Sequence, residues 1–290
     1  MSFWDEITIL SVSYNTKEII GSSLKPFLQA EEIIVVDNAS ADQSVDYIRA
    51  EFPQVTLIEN KRNLGYGGGF NTGLAYVKTP YLFAISPDTE ISVEALEALY
   101  HALKSYDGAA LVSPALEVPR QGVEMWVMGA NELSHRLCDV QCDGPFCSWF
   151  SSAAITLYRT EAIKEIGGFD ENIFLYQEDL DLALRITKAG YSMINMPNIL
   201  AHHMNSGSTA PSVSQHWRKD WNLAWGSLYV LEKHGAPGVA RAKAWKLIGA
   251  KAPKALFYAL VLDRKRLVRD FAVTHGAVSF LLGRIPKWGN

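Results

Sequence analysis

Three groups of residues in this 290-residue chain have types and spacings that could do chemistry. Asp88-Thr89-Glu90 follows an apolar run and Pro87. Two carboxylates two residues apart can hold a hard divalent cation, which prefers oxygen ligands and keeps phosphate and water in its shell. The same triplet also reads as a plain turn into the next helix. Residues 174–185, FLYQEDLDLALR, form the densest carboxylate cluster. Glu178 and Asp179 fall at a helix start, where the dipole favours carboxylates by about 0.3–1 kcal/mol, so capping alone could account for them. Yet Ile173, Phe174, Leu175 and Tyr176 precede them, and Leu180 and Leu182 follow. Carboxylates framed by bulky apolar residues are expected to be half-buried, where one can act as a general base. Asp181 lies four residues before Arg185 and reads as an ordinary surface pair worth a few tenths of a kcal/mol. His202-His203 precedes a polar Gly/Ser turn, where an imidazole either completes a metal site with an aspartate or is simply solvated.

The elements that must position these groups alternate. Apolar, β-branched runs predict strands at 7–13, 32–37, 55–60 and 81–86. Helices are expected between them, ending near 29 and spanning 41–50 and 69–77, with a further helix at 92–105 capped by Ser92. Strand–helix alternation at this spacing means βαβ units and a parallel sheet. Residues 120–147 read as a long loop, with a hairpin inside it as the alternative, 154–158 as a strand, 160–166 and 178–189 as helices, 192–196 as a strand and 202–209 as a turn. From 214 the chain reads as helix throughout, with breaks near 235–238 and at Pro253. In open parallel sheets ligands bind beyond the carboxyl ends of the strands. Polar residues collect there: Tyr14-Asn15, Asp37-Asn38, Asn60 with Asn63, and Ser86-Pro87-Asp88. The run NLGYGGGFNTG, residues 63–73, approximates a dinucleotide-binding fingerprint but has Phe70 at its last glycine position and follows the third strand, not the first. Its glycines fit better a loop whose backbone approaches a base or ribose.

Hydrophobic residues make up 48% and charged residues 20%, which excludes disordered, collagenous and disulfide-scaffold chains. No apolar run reaches the roughly 18 residues of a membrane span, and no signal peptide is visible. Cys138, Cys142 and Cys147 form no disulfide framework and suit a reducing cytosol. The net charge of −4 is uneven. Residues 239–290 carry 11 Lys and Arg against Asp263 and Asp270, which is +9, leaving −13 on residues 1–238. The basic tail carries Trp245, Leu256, Phe257 and Tyr258 among its lysines and arginines, a pattern that can lie in an anionic membrane interface. Packing on the acidic body, or a contact in a homo-oligomer, are the other readings. Nucleic acid fits poorly with a body of −13.

Taken together, VSYN near the start, VVDNASAD, NLGYGGGFNTG, PDTE, GGFDENIFLYQEDLDLALR and a histidine before a Gly-Ser-Thr turn resemble the family 2 glycosyltransferases. The resemblance covers about residues 7–209 and is nearest to the rhamnosyltransferase-type members. It implies an α/β GT-A fold, a mostly parallel central sheet flanked by helices, over residues 1–212. A helical C-terminal extension, basic from about 239, would occupy 213–290. It also implies roles: Asp37 against the donor's base, Tyr14, Asn15, Asn63 and Gly65 near the nucleotide, and Asp88 at the metal and diphosphate. Asp179 would be the catalytic base with Glu178 beside it. Glu90 and one of His202 and His203, with His202 favoured, would lie near Mg²⁺ or Mn²⁺. The implied reaction is inverting, metal-dependent sugar transfer from a nucleoside-diphosphate donor to a saccharide or lipid-linked acceptor in polysaccharide biosynthesis. The expected location is cytoplasmic, or peripheral on the inner face of the cell membrane. Glu90 in place of the usual aspartate, and Ser151-Ser152 where relatives carry glycine, leave room for a catalytically silent sugar-nucleotide-binding scaffold. A nucleotidyltransferase is disfavoured because YNTKE, not a Gly-rich basic loop, follows strand one.

Overall fold

The computed structural model describes residues 2–119, 122–126, 136–137, 144–204 and 213–286. Cys138 and Cys142 lie outside them, and Cys147 is an exposed free thiol.

Four parallel strands build the first half: β1 (Ile7–Ser13), β2 (Glu32–Asp37), β3 (Thr56–Glu59) and β4 (Tyr81–Ile85), in the order β3-β2-β1-β4. Each central strand is apolar on both faces. Ile7 and Ile9 of β1, Ile33 and Val35 of β2, and Tyr81, Phe83 and Ile85 of β4 enter one core. Leu10, Ile34, Val36, Leu82 and Ala84 enter a second on the other face. This is the near-continuous hydrophobic run that a strand covered by helices on both sides requires. The connecting helices are α1 (Ile20–Leu24), α2 (Ser44–Glu51) and α3 (Gly65–Leu74). Helix α4 (Val93–Ser105) follows the short strand β5 (Thr89–Glu90), and its N-cap Ser92 accepts from the Ala95 amide at 3.2 Å.

The sheet continues through β6 (Ala109–Val118), β10 (Ile155–Arg159) and β11 (Ser192–His203), giving β4-β10-β6-β11-β5. Strand β10 runs antiparallel to its neighbours, while β11 is parallel to β6. Strands β7 (Gly122–Trp126), β8 (Arg136–Leu137) and β9 (Phe146–Ser148) hang off this edge. Helices α5 (Thr160–Ile166) and α6 (Glu178–Lys188) cover the second core.

Two expectations are corrected here. The strand beginning at Ser192 does not stop at 196; it runs to His203, so the two histidines end a strand and do not sit in a turn. A register shift between Met196 and Leu200 absorbs Pro197, and pairing with β6 and β5 carries the strand on. Nor does Pro253 break its helix. Helix α8 (Pro237–Leu260) passes through it, packed between α7 (Val213–Lys233) and α9 (Arg264–Leu281). Tertiary packing of α8 offsets the roughly 3 kcal/mol a mid-helix proline costs. These three helices share a core of Trp221, Trp225, Leu228, Ala240, Ala244, Ala272, Ala277 and Phe280.

Candidate active site

The polar ends of β1 and β2 are tied into one rim. Asp37 is 1% exposed. Its carboxylate accepts from the Ser40 amide at 2.8 Å, the Ser40 hydroxyl at 2.5 Å and the Ser13 hydroxyl at 3.4 Å. Ser40 Oγ in turn accepts from the Asn15 amide, and Asn15 Oδ1 accepts from the Ala41 amide, both at 2.8 Å. Asn15 sits at φ 54°, a left-handed conformation its short polar side chain tolerates. Tyr14 lies beside it, half-buried. Asn38 then bridges to the glycine helix: its Nδ2 donates to the Gly65 carbonyl at 2.8 Å, while its Oδ1 accepts from Asn60 Nδ2 at 2.8 Å.

Gly65 starts α3 at φ +76°, with its amide held by Asn63 Oδ1 at 2.8 Å. A Cβ there would stand 1.8 Å from the Phe174 carbonyl oxygen. Only glycine lets the start of α3 lie backbone to backbone against the segment that leads into α6.

That segment ends in two consecutive left-handed residues, Tyr176 at φ 65° and Gln177 at φ 74°. Neither is glycine, and such strain persists only where surrounding structure over-determines it. Gly226 of α7 supplies that support, since a Cβ on it would meet the Tyr176 carbonyl and Gln177 Cγ at 3.2 Å. The result brings Glu178 inward at the first turn of α6. Glu178 is buried and its Oε2 has no hydrogen-bond partner, while Asp179 is half-buried with Oδ1 accepting from the Leu180 amide at 2.9 Å. Burial pushes both carboxyls above the ordinary carboxylate range, and the Asp179 charge pushes Glu178 further. Tyr66 and Tyr158 are also held high by burial, with the carboxylates adding to it, which places both rings in the field of Asp179. Tyr66 fixes its hydroxyl on the Ala153 carbonyl at 2.6 Å.

Asp88 follows β4 and is clamped at its backbone, its carbonyl accepting from the Met204 amide at 2.8 Å. His203, not His202, reaches it: Nε2 stands 3.3 Å from Asp88 Oδ2. His202 instead meets Glu117 at 2.6 Å. Glu90 is paired across from His202, and directly opposed residues share a face, so Glu90 stands on the other side of the ribbon from His203. The structure therefore brings Asp88 and His203 together and leaves Glu90 and His202 apart from them. Among the described residues no group of three or more His, Cys, Asp and Glu could hold a metal alone. A carboxylate and an imidazole, both partly exposed, fit a divalent cation whose remaining ligands are phosphate and water.

Asp181 is not the surface residue its spacing suggested. It is fully buried and meets Arg185 Nε at 2.8 Å, Lys233 Nζ at 2.7 Å and His234 Nε2 at 2.9 Å. Lys233 also meets Asp170 at 2.6 Å, so this network ties α6 to the end of α7. Sequence reasoning assigned no role to Ser13, Ser40, Asn38 or Tyr66. All four stood inside the motifs that were singled out, but each gains its work from a contact more than twenty positions away.

This mostly parallel α/β sheet, flanked by helices and with a polar rim at its carboxyl edge, is a fold of the GT-A glycosyltransferase type. The chain belongs to glycosyl transferase family 2, whose model matches residues 8–167. It is 23% identical over 247 residues to N-acetylglucosaminyl-diphospho-decaprenol L-rhamnosyltransferase of Mycobacterium tuberculosis, covering 73% of this chain and 80% of that protein. The fold matches mannosyltransferase PcManGT of Pyrobaculum calidifontis, solved with GDP-Man and Mn²⁺, with a TM-score of 0.57 at 16% identity over 96% of this chain and 87% of that one. It also matches GalNAc-T7, solved with UDP, GalNAc and Mn²⁺, at a TM-score of 0.54 and 16% identity, covering 79% of this chain and 54% of that one. The silent-scaffold reading loses its ground, because family and relatives alike are glycosyltransferases.

Proposed function

We propose that this enzyme transfers a hexose, rhamnose being the first candidate, from a nucleoside-diphosphate donor to a saccharide or lipid-linked acceptor, with inversion. The observation that carries this reading is the Glu178–Asp179 pair, Glu178 buried and Asp179 half-buried, whose leading segment packs at Phe174 against Gly65 of the donor-side loop.

The donor's base lies at the rim of Tyr14, Asn15 and Asn63, with Asp37 positioning that rim through Ser40. The diphosphate lies toward Asp88. Asp88 and His203 would hold Mg²⁺ or Mn²⁺, which, when bound, supplies positive charge to the leaving diphosphate. Asp179 Oδ1 is engaged by the Leu180 amide, which leaves Oδ2 to take the acceptor's hydroxyl proton. The acceptor's oxygen, losing that proton to Asp179, bonds to the anomeric carbon as the bond to the diphosphate breaks on the opposite face. Burial raises both carboxyls and the Asp179 charge raises Glu178 further, so the pair gives up its two protons in separate steps. The mycobacterial relative is named for an N-acetylglucosaminyl-diphospho-decaprenol substrate, which supports a lipid-linked acceptor. Incubation with dTDP-, UDP- and GDP-sugars, Mn²⁺ and a polyprenyl-diphospho-saccharide, with NMR of the product, tests the reading. One donor should be consumed and the product should have the opposite anomeric configuration; retention of configuration would refute the single-displacement mechanism.

A further inference from the structure

Helix α8 has two faces. Ala240, Ala244 and Ala255 are buried against α7 and α9. The opposite face, at positions 245, 249, 256 and 260, carries Trp245, Gly249, Leu256 and Leu260, with Phe257 adjoining. These large side chains are exposed: Trp245 by 65%, Leu256 by 71% and Leu260 by 83%. The stripe ends in the α8–α9 corner, where Val261 is exposed by 53% and Leu262 by 87%. Leu262 adopts φ 57°. A branched apolar residue in the left-handed region, pointing at water, is doubly unfavourable there unless something apolar receives it.

Cations rim this surface. Lys254, Arg264 and Lys265 are exposed and meet no acidic side chain among the described residues. Arg266 is exposed too, and Arg241, Lys243 and Lys246 lie on the flanks of the α8 stripe. The one acid at the corner, Asp263, is spent on capping α9, accepting from the Arg266 amide at 3.1 Å. Among the described residues no helix is long and apolar enough to cross a membrane. An apolar ridge with an unpaired basic rim suits an interface with an anionic surface on one side and hydrocarbon beneath it.

We propose that the outer face of α8 and the α8–α9 corner form a membrane-docking wedge, with Leu256, Phe257, Leu260 and Leu262 entering the acyl boundary. Lys254, Arg264 and Lys265 meet anionic headgroups. This attachment stands apart from the active site and holds whatever the acceptor proves to be.

Flotation of the full chain with phosphatidylglycerol-containing vesicles, against pure phosphatidylcholine, tests the proposal. Binding should require the anionic lipid and weaken with salt. Leu260→Glu with Leu262→Glu should abolish it without lowering the melting temperature, since both side chains are exposed. Arg264→Glu with Lys265→Glu should weaken partitioning more than tenfold, at about fivefold per cation removed. Absence of binding to anionic vesicles, or binding that survives both double variants, would overturn it. So would sedimentation showing a dimer that the leucine variants dissociate, for then a second copy covers this face.

Discussion

At the scale of single residues, the site depends on where two carboxyls keep their protons. Burial raises Glu178 and Asp179, and mutual repulsion keeps them from ionising together. A base must be deprotonated to work, so kcat/KM should fall on the acid side with a midpoint above the ordinary carboxylate range. A limb at the ordinary Asp value would mean that Asp179 is solvated in the working enzyme. The same raised group has a stability consequence. A carboxyl whose folded pKa lies above its unfolded one stabilises the fold at low pH, and that contribution is lost as pH climbs toward the folded pKa. Glu178→Gln removes this titration. Its melting temperature should gain on wild type as pH rises from the ordinary carboxylate range, and equal displacement at every pH would show that Glu178 does not titrate in the fold. At the metal end, His203→Ala should raise the Mn²⁺ concentration needed for half-maximal turnover, and His202→Ala should not, because only His203 reaches Asp88.

At the scale of elements, backbone contacts between loops matter as much as side chains. Gly65→Ala would force a Cβ into the Phe174 carbonyl from a left-handed position. The left-handed backbone alone costs about 1–2 kcal/mol, and the clash adds to it, so the variant should melt several degrees lower and lose donor affinity. Asp181→Asn should also destabilise, toward the roughly 3–5 kcal/mol seen when a buried ion pair loses one partner, though Lys233 retains Asp170. A thermal melt distinguishes this from a surface pair, which would shift it little. The two cases also show what sequence can and cannot convey. The parallel strands through Ile85, the Ser92 cap and the Glu178–Asp179 helix start were legible, because period and capping are local signals. Strand β6 went unassigned, and β11 was cut short at 196, because cross-strand pairing with distant segments and a register shift around Pro197 set their extent. Asp181 looked like a surface residue because Lys233 and His234 lie more than fifty positions away. The choice between His202 and His203 waited on strand alternation, which a doubled histidine hides once the strand is taken for a turn.

At the scale of the whole molecule, a −13 body carries the polar rim and a +9 helical tail packs beside it. Ion pairs from Lys233 at the end of α7 to Asp170 and Asp181 join the C-terminal helices to the sheet domain, and Gly226 of α7 props the strained turn before Glu178. Helix α7 is therefore part of what shapes the turn before Glu178 and Asp179, while the outer face of α8 is exposed. Removing 213–290 should cost activity as well as stability, and a truncated 1–212 chain with full turnover would contradict that coupling. The most direct measurement of the central claim compares wild type with Asp179→Asn for nucleoside-diphosphate release in the presence of donor, acceptor and Mn²⁺, with melting curves as a folding control. The account predicts a folded variant whose turnover falls by roughly 10²–10⁴-fold. A folded Asp179→Asn enzyme working at near wild-type rate would show that another group takes the acceptor's proton.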